Sequence, residues 1–398
     1  MNQAPAAQAS TWSARSALNF VLLFGVVSLF ADFAYEGARS VNGPFLGLLG
    51  ASGFAIGVIA GAGELLGYTL RLVSGRAVDR TRLYWPITLL GYLVQMAAVP
   101  ALALAGNWQA AAILIVLERA GKAIRKPATG VMLADAGERI GRGWAFGLYE
   151  GLDQLGALLG PLLVALVLAQ RQGNYHLAYA WLGVPALLTM LLVLTARLRF
   201  AAAGTNRQQP ASGGDGRYPP AFWWYLAGAA LVGFGFADYP LIAYHFTRSG
   251  SVDAVSVPLF YAAAMAAGGA ASLLFGKLYD RNGLIVLVPL TLLVAAFPPL
   301  VFFGGFDPAL IGALLWGIGL GVHESVMSAV VAGMVPSQRL GSAYGLFTAI
   351  FGLAWFAGSA TLGALYDISI TATVAVAVAA QLLALPALLV AARKLRHR

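Results

Sequence analysis

Charged side chains stand inside long apolar stretches of this sequence, and they are the residues best suited to chemistry. The clearest case is the stretch 113–127, where Glu118, Arg119 and Lys122 interrupt a run of aliphatic residues. At the centre of a bilayer these three charges cost roughly 8–10 kcal/mol, whereas the six aliphatic residues near them contribute roughly 3 kcal/mol in return. A helix carrying them cannot expose that face to lipid, so the face is expected to line a polar interior.

The same helix continues this charged face. Glu118, Lys122 and Arg125 are spaced i, i+4 and i+7, and such residues share one side of a helix. Arg125 and Lys126 are expected to be charges at the membrane-surface end of the helix. An alternative for Glu118 is an interhelical ion pair, with Arg119 or Lys122, that has no role beyond structure.

Other ionisable residues occupy similar apolar settings. Ionisable groups inside membrane spans mark substrate pathways and proton relays. Basic groups at depth are fewer than acids, so some carboxylates are expected to be paired, protonated or beside water. The candidates for substrate binding or proton coupling are Asp32, Glu36, Glu64, Glu118, Arg119, Lys122, Asp153, Asp238, His323 and Glu324.

For proton coupling the candidates rank as Asp153, Glu118, Asp32, and then Glu324 with His323. Each has a structural alternative, such as helix bridging by Asp32 or helix packing by His323.

The composition requires a membrane around these residues. Hydrophobic residues make up 60% of the 398 residues and charged residues only 10%, whereas soluble domains carry about 25% charged residues. The chain has no cysteine, which excludes disulfides and thiolate metal sites. The formal charge of +9 lies in short connectors between apolar runs, which favours a topological role over nucleic-acid binding.

Twelve apolar stretches are long enough to span a bilayer, since a spanning helix needs about 20 residues. Basic residues concentrate in alternate connectors and in the tail after 392, so the positive-inside rule predicts that both termini are cytoplasmic. We expect a multi-pass protein of a bacterial cytoplasmic, or inner, membrane. The predicted spans are 17–38, 52–75, 83–104, 108–133, 143–169, 176–197, 221–247, 254–279, 284–304, 307–334, 341–366 and 371–393.

The sequence divides into two similar halves. The polar stretch 201–220 predicts a cytoplasmic linker between a six-helix bundle at 1–200 and another at 221–398. The repeat preserves orientation over six helices, so the halves are parallel repeats about an axis along the membrane normal. The matching segments are Gly75-Arg-Ala-Val-Asp79-Arg80 with Gly276-Lys-Leu-Tyr-Asp280-Arg281, Phe30-Ala-Asp32-Phe33 with Phe236-Ala-Asp238-Tyr239, and Gly143-Trp-Ala-Phe-Gly147-Leu148 with Gly341-Ser-Ala-Tyr-Gly345-Leu346.

With these motifs the sequence resembles the major facilitator superfamily. Gly75, Asp79 and Arg80 match the family signature between helices 2 and 3, although Thr81-Arg82 departs from its continuation. Gly276, Asp280 and Arg281 match its second copy, and Gly156, Gly160 and Pro161 match the antiporter-type motif of helix 5. The resemblance implies an all-α fold of two six-helix bundles with a central cavity that opens alternately to each side. Asp79 is expected beside the start of helix 11 and Asp280 beside the start of helix 5, since a helix N-terminus favours a carboxylate.

Three functions fit these observations. The favoured one is a proton-coupled antiporter for efflux of small organic compounds, working as a monomer with a small-molecule substrate, the lipid bilayer and a proton gradient but no bound cofactor. A metal-cation transporter would use Asp32, Asp238, His245, His323 and Glu324 as ligands. An organic-anion uptake carrier would use Arg119 and Lys122 as a clamp. A membrane-embedded enzyme or sensor is the remaining alternative, but the sequence contains no nucleophile elbow, HExxH, Walker loop or CxxC motif.

Overall fold

The protein is all-helical throughout the residues described by its computed structural model, which are 12–201, 218–336 and 339–396. Most of the predicted linker, 202–217, lies outside the described residues, so the boundaries of the two halves stay a prediction. The helices are α1 (Ala14–Arg39), α2 (Asn42–Leu48), α3 (Gly53–Thr81), α4 (Tyr84–Ala101), α5 (Trp108–Ile140), α6 (Arg142–Gln170), α7 (Tyr175–Arg199), α8 (Pro220–Gly235), α9 (Tyr239–Ser249), α10 (Ser256–Asn282), α11 (Leu287–Val294), α12 (Phe297–Phe303), α13 (Phe306–Met334), α14 (Leu340–Ile368) and α15 (Ile370–Arg396).

The helices reproduce the predicted spans. Within the described part of the chain, 10 helical segments are long and apolar enough to cross a membrane. One of them, Ser256–Phe303, contains two crossings, because α10 is followed by a turn and then by α11 and α12. The charged helix α5 is not among the 10, and adding it gives the predicted twelve.

One span is broken where a candidate residue lies. Helices α8 and α9 form a single crossing interrupted at residues 236–238. Pro240 lies in the first turn of α9, where proline is tolerated because the N–H groups of a first turn have no acceptor within the helix. The freed carbonyl of Ala237 accepts a hydrogen bond from Trp316 Nε1 at 2.9 Å. Irregular backbone at membrane depth persists where protein groups satisfy it in this way, and the break leaves Asp238 pointing into the interior.

The glycines of the predicted helix-5 motif lie in the contact between α1 and α6. A Cβ at Gly156 would overlap the carbonyl of Leu29, and one at Gly160 would overlap the carbonyl of Phe33. In the second half, Gly358 of α14 meets the backbone of Phe234 in α8 in the same manner. Small residues therefore let these helices approach closely in both halves.

The two halves meet at the end of the bundle that lies opposite the chain termini, which we call the opposite end. There α3 packs against α14, with Gly57 against the carbonyl of Ser359. Asp367, in the last turn of α14, accepts hydrogen bonds from the backbone N–H groups of Gly53 (2.8 Å) and Phe54 (2.9 Å) at the start of α3. A carboxylate at a helix N-terminus is favoured by the exposed N–H groups and by the helix dipole, so this contact holds the opposite end closed.

At the other end, which carries the termini and is called the terminal end, packing around the motif glycines is looser. Gly276 has no described atom within 4 Å of where its Cβ would stand, and Gly75 has only Pro127 Cβ at 3.9 Å, in its own half. No described atom of the other half therefore lies within 4 Å of a Cβ placed at either glycine.

Candidate functional site

The centre of the site is a buried ion cluster between α1 and α5. Asp32 is 3% exposed and accepts hydrogen bonds from Lys122 Nζ at 3.1 and 3.2 Å. Arg125 Nη2 lies 3.7 Å from the same carboxylate. The ammonium of Lys122 also sits 3.9 Å from the ring centre of Tyr35. Buried charges persist when they are paired and hydrogen-bonded, and this arrangement satisfies both requirements for Asp32.

Arg125 corrects one expectation. It was predicted to be a surface-end charge, but it is 1% exposed. Its Nε donates to Gln95 Oε1 at 2.8 Å and its Nη1 to the Tyr92 hydroxyl at 3.1 Å, with the guanidinium 4.3 Å from the Tyr92 ring centre. The physical reason is length, because α5 continues to Ile140 and places Arg125 near its middle. Lys126, the next residue, is exposed.

Glu118 is buried beside a neutral partner. It is 4% exposed and accepts a hydrogen bond from Gln95 Nε2 at 3.0 Å. Arg119 Nε lies 3.9 Å from it, but the stronger contact of Arg119 is with Glu64, at 2.7 Å between Nη1 and Oε1. The two residues proposed as an anion clamp, Arg119 and Lys122, are thus each placed on a carboxylate of the protein.

A second group of charges joins the two halves. Arg39 Nη2 lies 3.4 Å from Glu64 Oε1 and 3.9 Å from Asp238 Oδ1, which belongs to the other half. The hydroxyl of Tyr261, on α10, donates to Glu36 on α1. The Arg39–Asp238 and Tyr261–Glu36 contacts join different halves, so these two contacts depend on the opposite end being closed.

Asp238 is held mainly by neutral donors. Trp355 Nε1 and Ser359 Oγ, both on α14, each donate to its Oδ2 at 2.9 Å. With Arg39 at 3.9 Å, the carboxylate is 2% exposed. It therefore lies where α8, α9 and α14 meet the first half.

Asp153 lies on α6 and is half-buried. It accepts a hydrogen bond from the Ser28 hydroxyl of α1, and it forms no salt bridge with any described residue within 4.0 Å. On the same helix, α6 and α10 flank an open crevice of about 290 Å³ between the halves. The crevice is lined by Gly151, Gln154, Leu155, Leu158, Met265, Ala266, Gly269 and Ala270.

The second-half histidines have separate surroundings. His323 packs against the ring of Phe236, with ring centres 5.0 Å apart, and His245 Nδ1 lies 3.0 Å from the Tyr366 hydroxyl. The side chain of Glu324 lies outside the described residues. Over the described ranges no group of three or more His, Asp or Glu side chains is arranged to hold a metal, so Asp32, Asp238, His245 and His323 are not brought together as a metal site.

The charged residues of the repeated motif lie at the terminal end. Asp79, Arg80, Asp280 and Arg281 are exposed. The expected contacts of Asp79 with the start of α14 and of Asp280 with the start of α6 stay predictions.

Several partners in the site had no signal in the sequence. Gln95, Tyr261 and Trp355 sit in apolar stretches like ordinary packing residues, and their roles appear only from the packing. Asp367 could have been found from the sequence, because it is an acid directly after the predicted span 341–366. The structure adds that it contacts the start of α3.

Comparison with known proteins decides the family. The family model of the major facilitator superfamily matches residues 17–359. The chain belongs to the major facilitator superfamily. The Mycobacterium tuberculosis protein Rv2265 is 42% identical over 385 residues, covering 94% of this chain and 93% of that one.

One further relative agrees with this family assignment, and a solved structure shares the fold. A protein of Methanocaldococcus jannaschii, named as the MFS-type transporter MJ1317, is 25% identical over 366 residues, covering 88% and 89%. The crystal structure of a peptide transporter, POT, in complex with sulfate is 16% identical with a TM-score of 0.77, covering 94% of this chain and 93% of that one. This member of the superfamily is therefore a multi-pass membrane transporter with the fold predicted from its sequence.

Proposed function

We propose that this transporter is a proton-coupled exporter of small organic solutes. Its relatives establish transport, but a fold of this kind hosts many different cargoes, so the proposal rests on the chemistry of the interior. The antiporter-type helix-5 motif, Gly156, Gly160 and Pro161, supports exchange of substrate against protons. The absence of a Walker loop from the sequence favours an ion gradient over ATP as the energy source.

The observation that carries the proposal is the contrast between two acids inside the membrane spans, Asp32 and Asp153. Asp32 is neutralised by Lys122 and Arg125, whereas Asp153 is bound by the Ser28 hydroxyl alone among the described side chains within hydrogen-bond distance. A carboxylate inside a span without a close cation is a natural proton carrier, because it can be protonated on one side and deprotonated on the other as water access alternates. Glu118, hydrogen-bonded by Gln95, is the second candidate.

The orientation follows from the basic connectors. We propose that the terminal end faces the cytoplasm of a bacterial cell and that the protein works as a monomer. In that orientation the closed opposite end faces outward, and the described state is closed toward the outside.

The test measures proton movement in liposomes that contain the purified protein and a trapped pH-sensitive dye. Under an imposed pH gradient, adding a transported compound from a panel of small organic solutes should produce proton flux. Asp153→Asn should remove substrate-dependent flux, because the amide cannot carry the proton.

The matched control is Asp253→Asn in the exposed loop before α10. The hydrogen bond from the Ser256 hydroxyl lowers the pKa of Asp253, so this carboxyl stays ionised throughout the assay range. Asparagine retains the capping geometry, and the control should keep wild-type flux. Compound uptake without proton flux, or full flux in Asp153→Asn, would refute proton coupling through this residue.

A further inference from the structure

Two basic side chains inside the membrane spans of the first half form no salt bridge within 4.0 Å, although Arg71 interacts electrostatically with Glu64 on its own helix. Arg71 lies on α3 and Lys126 on α5, and neither forms a salt bridge with any residue that the structure describes. This distinguishes them from Arg39, Arg119, Lys122 and Arg125, each of which contacts a carboxylate. An unpaired charge at such a depth is costly unless water or a ligand compensates it.

The two residues lie at a similar depth. Helices α3 and α5 both begin at the opposite end, and Arg71 and Lys126 follow the first residues of their helices by the same number of positions. Lys126 interacts electrostatically with Arg71 and Lys122, and also with Asp153 and Glu150 on α6. Two cations therefore repel each other at this level, and they lie on the side of Asp153.

The Arg71 side chain also has a buried donor that makes no hydrogen bond. Arg71 Nε is buried and has no hydrogen-bond partner, and the guanidinium rests 5.7 Å from the ring centre of Tyr68. The side chain of Lys126 is exposed. A planar guanidinium with a free donor beside an exposed ammonium matches the geometry of a carboxylate or phosphate.

We propose that Arg71 and Lys126 bind an anionic group of the transported solute. The inference rests on the transport function proposed above and names its substrate class as an organic anion. The mostly apolar crevice between α6 and α10 is lined by Gly151 and Gln154, the chain neighbours of Glu150 and Asp153, and in this proposal it receives the uncharged part of the solute. Arg119 and Lys122, the clamp considered from the sequence, remain in their protein ion pairs.

The experiment measures binding without a pH gradient, so it is independent of proton coupling. Purified protein in phosphatidylcholine nanodiscs is titrated with four compounds that share one ring: phenyl phosphate, benzoate, benzyl alcohol and benzylammonium. Affinity should fall in that order. Arg71→Gln and Lys126→Gln should each weaken phenyl phosphate binding by about tenfold or more, as expected for one lost hydrogen bond to a charged group.

Two sets of control variants distinguish a lost binding contact from misfolding of the protein. Arg71→Lys and Lys126→Arg keep the charge and should lose less affinity than the corresponding Gln variants. Lys394→Gln removes an exposed lysine near the end of α15 and should leave binding unchanged.

A lipid arm identifies the source of the anion. Nanodiscs that also contain phosphatidylglycerol are analysed by native mass spectrometry. Retention of phosphatidylglycerol that is lost in Arg71→Gln assigns the anionic group to a lipid headgroup, and binding of the soluble anions alone assigns it to a soluble solute.

Two outcomes overturn the proposal. The first is that no anion binds and no phosphatidylglycerol is retained. The second is that benzyl alcohol and benzylammonium bind as well as phenyl phosphate. Anion binding with no proton flux would instead refute proton coupling and leave this site standing.

Discussion

Removing the Asp367 carboxylate should open the opposite end. This side chain is the acceptor for two N–H groups at the start of α3, at 2.8 and 2.9 Å, and the contact joins the two halves. Replacing a helix-capping side chain by alanine costs about 0.5–2 kcal/mol, and the carboxylate charge at the helix N-terminus adds about 0.3–1 kcal/mol. Because Asp367 is 29% exposed, we take about 1–2 kcal/mol for Asp367→Ala, which shifts the ratio of closed to open molecules about 5–30-fold.

The absence of cysteine makes the measurement direct, since introduced cysteines are the only ones in the chain. Spin labels at Leu104→Cys and Phe306→Cys, both exposed at the opposite end and in different halves, report the separation by double electron–electron resonance. Asp367→Ala should add a population at longer distance.

Two control variants isolate the helix cap. Arg248→Gln removes the exposed pair with Asp367 at 3.7 Å, which is worth little, and a hydrogen bond to the Tyr244 hydroxyl in the same half, but it leaves both N–H bonds of the cap in place. Asp253→Asn changes a cap within one half. Both should keep the wild-type distance distribution. The same distribution in Asp367→Ala would show that the cap does not hold this end closed.

Two further substitutions test the packing of the first half by thermal unfolding in detergent. Asp32→Asn leaves the charge of Lys122 buried without its partner, so we expect a loss of about 3–5 kcal/mol and a clearly lower Tm; an unchanged Tm would contradict the buried ion pair. Gly160→Ala places a methyl group against the Phe33 carbonyl and should lower Tm. Gly143→Ala, with no described atom within 4 Å, should leave Tm unchanged or raise it, since alanine is the better helix former by about 0.5–1 kcal/mol.

The membrane architecture followed from the sequence because burial in lipid imposes strong local rules. Runs of about 20 apolar residues predict spans, and every predicted span coincides with a helix or a pair of broken helices. The free-energy cost of placing a charge in lipid also predicts that Glu118 lies in the protein interior, and Glu118 is 4% exposed. These predictions needed only composition and spacing.

Partner choice did not follow, because it depends on which helices meet. Glu36 contacts Tyr261, and Asp238 contacts Arg39. In each pair the two residues belong to different halves. The depth of Arg125 was misjudged for a different reason. The predicted span ends at 133, but the helix continues through the polar segment that follows to Ile140, which moves the midpoint of α5 toward Arg125.

Arg39 connects the ion pairs of the first half to the closure of the opposite end. One of its nitrogens lies 3.4 Å from Glu64 and 3.9 Å from Asp238, so a single cation is shared between an acid of its own half and an acid of the other. Separating the halves removes Asp238 from this cation but leaves Glu64 in place. Protonating Asp238 would remove the same attraction without any movement, because a neutral carboxyl no longer draws the guanidinium. In the proton-coupled exporter proposed above, a proton reaching Asp238 would therefore weaken the closed state by the same interaction that opening breaks.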